Sequence, residues 1–187
     1  PAVLLVIALV AVPIAIILVQ SFREVGYGSL LGSGFVGFSN YTRTFVDKAF
    51  RRSVRVTMIY SIATVSITYV MGFFSAVFVN EGLFGKRFVF SVLLLPWAMP
   101  LVPMGLVFKW MLNASYGIVN WLIRGVGLSD QLLDWFSDPL LSLVAIIGVT
   151  VWRQYPIAFL MIYAALQTIP RDHYDAGKVA GVNKWQE

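Results

Sequence analysis

Four stretches of this chain, residues 2–19, 54–79, 88–112 and 140–166, are apolar over about the length that a helix needs to cross a bilayer. At 1.5 Å per residue, a hydrocarbon layer about 30 Å thick takes roughly 20 residues of helix. Inside that layer every backbone N–H and C=O must be bonded within the protein, a demand that a helix meets by itself. The chain is 59% hydrophobic and 12% charged, against about 25% charged in a soluble domain. The expected fold class is therefore an all-α membrane protein, a polytopic helical bundle with about four membrane helices in a single domain over residues 1–187. The sequence opens at Pro1 and stops at Glu187 inside a recognisable pattern, so it reads as an incomplete chain.

The runs are not uniform, and their irregularities are where function is sought. Pro13 in the first is tolerable, because neighbouring helices can satisfy the carbonyl it frees. The second spaces Thr57, Ser61, Thr64, Ser66 and Thr68 along its length; such hydroxyls bond their own backbone or a neighbouring helix, or line a path. In the third, Pro96, Pro100 and Pro103 remove three donors around Trp97 and Met99, and the helix is expected to bend or unwind between Leu95 and Pro103. That stretch is either the wall of a translocation path or a kink that serves packing. The fourth carries Arg153 near its middle, beside Trp152, Gln154 and Tyr155. A cation at that depth costs about 2.5 kcal/mol or more unless it faces a bundle interior or water. Arg153 therefore pairs with a partner outside this stretch or faces the path.

The connections are polar. Within 20–53, Tyr41, Phe45, Val46, Ala49 and Phe50 fall on one helical face and Arg43, Asp47, Lys48, Arg51 and Arg52 on the other, the pattern of a helix lying among lipid headgroups. Between 113 and 139, Asp130, Asp134 and Asp138 recur at every fourth residue; carboxylates capping helix ends explain them more simply than a metal, whose other ligands are missing. The formal net charge of +5 suits contact with anionic membrane lipid and, spread as it is, gives no nucleic-acid footprint. There is no cysteine, and the single His173 has no clustered partners, which leaves no metal site and no nucleophile–base set. Lys and Arg are balanced between the two sides, so charge alone does not orient the chain.

After the last apolar run the composition changes abruptly, from Ile169 to Glu187. Pro170 suits the first turn of a helix, where its missing N–H is harmless. Asp172 and Asp175 have the spacing of a cap and its third helical residue, at the positive end of the peptide dipoles. Ala176, Gly177 and Ala180 are small, and Gly181 can leave the helix by a left-handed turn. A short polar helix of this kind lets another protein approach its backbone closely.

This segment resembles the cytoplasmic coupling loop of bacterial ABC-importer permeases. Tyr174, Ala176, Gly181, Trp185 and Gln186 match that family's pattern, while Asp175 replaces its Glu, Gly177 its second Ala, Ala180 its Asp and Val182 its last Ala. The resemblance extends over nearly the whole chain, toward the sugar-importer branch with the maltose and glycerol-phosphate permeases. It includes Gly37-Phe-Ser-Asn40-Tyr41, Leu95-Pro96-Trp97-Ala98-Met99-Pro100, Asn113-Ala-Ser-Tyr116-Gly117-Ile-Val-Asn120, Val151-Trp152-Arg153 with Pro156, and Leu166-Gln-Thr-Ile-Pro170. It implies an inner-membrane subunit that forms a path for a sugar or polyol and is not itself an enzyme. ATPase motion would enter through a coupling helix at about 171–181, with Tyr174, Asp175, Ala176, Gly177, Ala180, Gly181 and Trp185 in contact. Trp97, Trp152, Arg153, Gln154 and Tyr155 are the candidate path residues. The implied partners are a second permease subunit, cytoplasmic ATP-binding subunits and an extracytoplasmic solute-binding protein. This chain has no Gly-x-x-x-x-Gly-Lys-Ser/Thr loop, so ATP and Mg are expected on the ATPase and no cofactor on this chain. The alternative is an ion-coupled secondary transporter, since proline-interrupted helices suit those carriers too.

Overall fold

A computed structural model gives the fold, and it describes residues 2–24, 34–81 and 85–183. The chain divides into two compact units, Pro1–Met58 and Ile59–Glu187. Apart from one pair of two-residue strands, the regular elements among the described residues are all helices.

In the first unit, α1 (Ala2–Ser21) runs through Pro13. Strands β1 (Arg23–Glu24) and β2 (Gly34–Phe35) pair antiparallel, Arg23 opposite Phe35. Phe22 packs on Phe35, Phe38 and Tyr41. Below this aromatic cluster Asn40 Nδ2 donates to the Ser21 and Arg23 carbonyls, both at 2.9 Å, and the Tyr41 hydroxyl bonds Ser21 Oγ at 2.7 Å. The amphipathic stretch expected as one surface helix is two: α2 (Ser39–Val46) ends at Asp47, and α3 (Lys48–Asn80) begins there. Asp47 is extended, and its Oδ1 accepts the Phe50 N–H at 2.8 Å, so its backbone ends the first helix and its carboxylate caps the second.

Helix α3 continues into the second unit, which holds α4 (Lys86–Ala98), α5 (Leu101–Met111), α6 (Ile118–Gly125), α7 (Pro139–Gln167) and α8 (Arg171–Val179). Helices α3 and α7 are long and apolar enough to cross a membrane. Phe88–Ala98 and Leu101–Met111 make a third span if the bent pair is taken as one, and the described apolar part of α1, Leu5–Ser21, is shorter. The bend is 94°, at Met99 and Pro100, both extended.

Two clusters hold the unit. At one end Ala76 and Val79 of α3 and Phe159 of α7 are fully buried, with Val89, Phe90, Leu93 and Leu94 of α4 against them. The Phe90 ring meets Phe159 at 5.0 Å and Tyr163 at 5.3 Å. The approach of α3 to α7 depends on Gly72, where a Cβ would lie 2.7 Å from Ala158 Cβ and 2.9 Å from the Phe159 nitrogen. At the other end Leu112, Trp135 and Ala145 form the second cluster, joined by Phe108, Val119, Ile123, Leu133 and Leu141.

The connection around that second cluster, polar in composition, is ordered by side chains that bond backbone. Asn120, 2% exposed, donates to the Ala114 and Leu133 carbonyls and accepts from Trp135 Nε1 at 3.0 Å. Asn113 Oδ1 accepts the Ser115 and Tyr116 N–H groups. Asp138 caps α7 by accepting from Leu140 and Leu141, both at 2.8 Å. Asp134 takes the Ser137 hydroxyl and the Phe136 and Ser137 N–H groups, bonds that hold its carboxyl below its ordinary pKa. Two of the three regularly spaced aspartates thus close a turn and a helix end. Among the described residues no group of three or more His, Cys, Asp or Glu is placed to hold a metal.

Candidate functional site

Helix α7 ends in a tight sequence of hydrogen bonds. The Thr168 N–H reaches the Ala165 carbonyl at 3.0 Å and the Ile169 N–H the Leu166 carbonyl at 3.3 Å, and Thr168 Oγ1 donates to the Ala165 carbonyl at 2.7 Å. Ile169 and Pro170 turn the chain, and α8 starts at Arg171. That is two residues earlier than a cap at Asp172 requires: the Pro170 carbonyl accepts the His173 N–H at 3.2 Å, and Asp172 lies inside the first turn. Its charge still faces the positive end of the helix.

The far end of α8 closes on a glycine. Gly181 has φ +82°, and the Val182 N–H reaches back to the Gly177 carbonyl at 3.1 Å. This is the bond pattern of a helix stop in which the residue after the left-handed one is tied to the last turn. Val182 folds under Gly177, whose added Cβ would lie 3.8 Å from Val182 Cγ2. Of the expected contact residues, Asp175, Ala176, Ala180 and Gly181 are exposed, Tyr174 and Gly177 half-buried, and Trp185 lies outside the described residues. Val179 is 91% exposed, a large apolar residue with no cover on an otherwise polar helix.

Where α7 hands over to α8 it is tied sideways. Gln167 Nε2, on the last residue of α7, donates to Oδ1 of Asn80, the last residue of α3, at 2.6 Å. With Gly72 against Ala158, and Tyr60 bonding Thr150 Oγ1 at 3.2 Å, α3 and α7 lie side by side and parallel. These tying residues have no marker in the local sequence, because they are paired only by the fold.

The mid-span candidates fall on different faces. Helix α7 runs unbroken through Pro156, which is fully buried. At about 100° per residue, Trp152 and Tyr155 share the packed side: Trp152 meets the Phe108 ring at 5.2 Å, and Tyr155 is buried. Arg153 and Gln154 turn away from that side; Gln154 is exposed and Arg153 half-buried. Arg153 Nε is buried with no hydrogen-bond partner, as are Thr64 Oγ1 and Thr68 Oγ1 on α3. No Asp or Glu occurs in 54–79, 88–112 or 140–166, so these segments hold no acidic partner for Arg153. Trp97 sits just before the 94° break and is half exposed.

Comparison with known proteins gives this geometry a context. The family model described as "Binding-protein-dependent transport system inner membrane component" matches residues 68–187. The inner membrane ABC transporter permease protein YcjO of Escherichia coli (strain K12) is 34% identical over 187 residues, covering 100% of this chain and 64% of YcjO. The trehalose/maltose transport system permease protein MalF of Thermococcus litoralis is 33% identical over 152 residues, covering 81% of this chain and 51% of MalF. The chain therefore spans between about half and two thirds of the length of these relatives. A crystal structure of a bacterial ABC transporter that imports the acidic polysaccharide alginate superposes with a TM-score of 0.80 at 19% identity. It covers 99% of this chain and 62% of the other, a likeness of fold.

Proposed function

Since this chain belongs to the family of binding-protein-dependent transport system inner membrane components, we propose that it forms part of the translocation path of an ABC importer for a sugar or related polyol. In this reading α8 is the helix that receives the motion of the ATPase. The supporting observation is the build of α8: polar, exposed, with small residues at 176 and 180 and a glycine stop at φ +82°. Its exposed Val179 gives a partner an apolar contact. ATP and Mg belong to separate cytoplasmic subunits, and the other partners are a second permease subunit, an extracytoplasmic solute-binding protein and membrane lipid. MalF carries trehalose and maltose in its name, and that relationship is the basis for proposing a carbohydrate here.

The open face of α7 contributes Arg153 and Gln154 to the path. A guanidinium in a span without carboxylates is stable only where water, solute or another subunit reaches its charge. Trp97, beside the proline break, joins them from α4. Trp152 and Tyr155 stiffen the opposite side of the same helix, on the packing already described.

A cysteine placed at Ala176 tests the coupling role in membranes holding the whole importer. A short bifunctional reagent is expected to link it to the ATP-binding subunit, with a yield that changes when ATP is bound. Labelling of Ala176→Cys by a membrane-impermeant thiol reagent from outside the cell, with no link to any ATP-binding subunit, would rule the assignment out. The tie between α7 and α3 gives a second expectation. Asn80→Leu removes one hydrogen bond, about 1 kcal/mol, so uptake should fall severalfold while ATP hydrolysis by the complex continues. Exchange to Asn80→Gln with Gln167→Asn should restore part of the uptake. Equal losses of uptake and hydrolysis would mean that the pair serves stability alone.

A further inference from the structure

Helix α6 is apolar on the side that no described residue covers. Asn120, Val119 and Ile123 face the cluster formed with Trp135, Leu133 and Leu112. On the opposite side Ile118, Trp121 and Leu122 are exposed, Trp121 to 71%. Tyr116 just before the helix is 72% exposed, and Trp110 at the end of α5 is 65% exposed. Between them runs an open groove of about 380 Å³ lined by Trp110, Met111, Tyr116 and Ile118.

We propose that this face of α6, with Trp110 and Tyr116, seats in the headgroup–acyl boundary of the phospholipid bilayer. The first argument is depth. The cluster under α6 reaches Ala145, six residues beyond Pro139 and so about 9 Å along the helix axis. Helix α6 thus lies beside the first turns of a membrane-spanning helix and the last residues of α5, not above them. The second is continuity: Leu101, Val102, Leu106 and Trp110 carry the same exposed apolar surface along α5, on the span that α6 adjoins. The third is composition. Trp and Tyr have an apolar body and a polar edge, which suits the water–lipid boundary. Lys109 and Arg124, both exposed, stand at the ends of α5 and α6, where long cationic side chains reach phosphate while their stems stay in the apolar layer. An amphipathic helix with this division of residues lies in the plane of the interface.

This inference requires only that α5 and α7 lie in a membrane, and holds whichever solute the protein carries. The stretch contains no cysteine, so single nitroxide labels can be placed at Ile118→Cys, Leu122→Cys and Ser137→Cys in the full-length protein of the assembled transporter. The transporter is reconstituted in phosphatidylethanolamine–phosphatidylglycerol liposomes. Collision with oxygen relative to a water-soluble nickel chelate is expected to be severalfold higher at 118 and 122 than at 137. Phospholipids brominated near the headgroup should quench the tryptophan fluorescence of the unlabelled protein, and Trp121→Phe should remove a measurable part of that quenching. Nickel access at 118 and 122 equal to that at 137 overturns the proposal in favour of a water-exposed loop. Protection from both reagents, with quenching unchanged in Trp121→Phe, overturns it in favour of cover by a protein partner.

Discussion

Gly117→Ala is expected to destabilise the second unit by about 3 kcal/mol or more, the upper end of what forcing atoms into filled space costs. A Cβ at Gly117 would meet the Met111 carbonyl oxygen at 2.5 Å and the Asn113 nitrogen at 2.6 Å, with the Asn113 carbonyl oxygen closer still. All three neighbours are backbone, so no rotamer change can make room. The affected turn carries the bond from the Gly117 N–H to the Asn113 carbonyl at 2.9 Å, and it leads into Asn120, on which Trp135 depends. A lower midpoint of thermal unfolding in detergent, together with a shift in tryptophan emission, is the expected result. Gly148 is the control. Nothing lies within 4 Å of an added Cβ there, so Gly148→Ala should leave stability unchanged or raise it by about 0.5–1 kcal/mol through helix entropy. Equal midpoints for Gly117→Ala and the unaltered protein would show that the turn is not built as described.

The second large effect is functional, at Gly181. A β-branched residue at φ +82° is forced out of the left-handed region, at a cost of about 1–2 kcal/mol. Helix α8 would then lose the stop that folds Val182 beneath Gly177. Gly181→Val should therefore reduce solute uptake about tenfold or more, on the conversion of about 1.4 kcal/mol per factor of ten. Gly181→Asn, which tolerates a left-handed backbone, should transport at close to the normal rate. The comparison separates the shape of the helix end from the mere presence of a side chain, since open space surrounds the position. Wild-type uptake by Gly181→Val at matched expression in membranes would contradict the coupling role of α8.

Much of the architecture is legible in the residues, for reasons of unequal strength. The long apolar runs announce α3 and α7, because lipid leaves the backbone few alternatives. The proline group places a bend between Leu95 and Pro103, and the chain turns at Met99 and Pro100, where the fixed ring and the missing donor act together. Asp47 is harder to read, because hydrophobic periodicity passes through it without a break; only its bond to the Phe50 N–H reveals two helices. Helix α6 is hidden by composition. Asn and Asp in a connection suggest an open loop, whereas here Asn120 spends its amide on two carbonyls and an indole and lies fully packed. At the candidate site, Trp152 and Tyr155 stand next to Arg153 and Gln154 in sequence, yet helical rotation divides the four between a packed side and an open one. The Gln167 to Asn80 bond joins residues 87 positions apart, and no local pattern can encode that.

The elbow at Met99–Pro100 has a mechanical corollary. Its two arms grip α7 at different heights, Phe90 of α4 on Phe159 and Tyr163, and Phe108 of α5 on Trp152. Between those grips α7 carries Pro156, so the backbone ladder of α7 is weakened near the level at which its neighbour is already folded over. The two blocks of side chains therefore rest on α7 on either side of Pro156, each with its own packed interior.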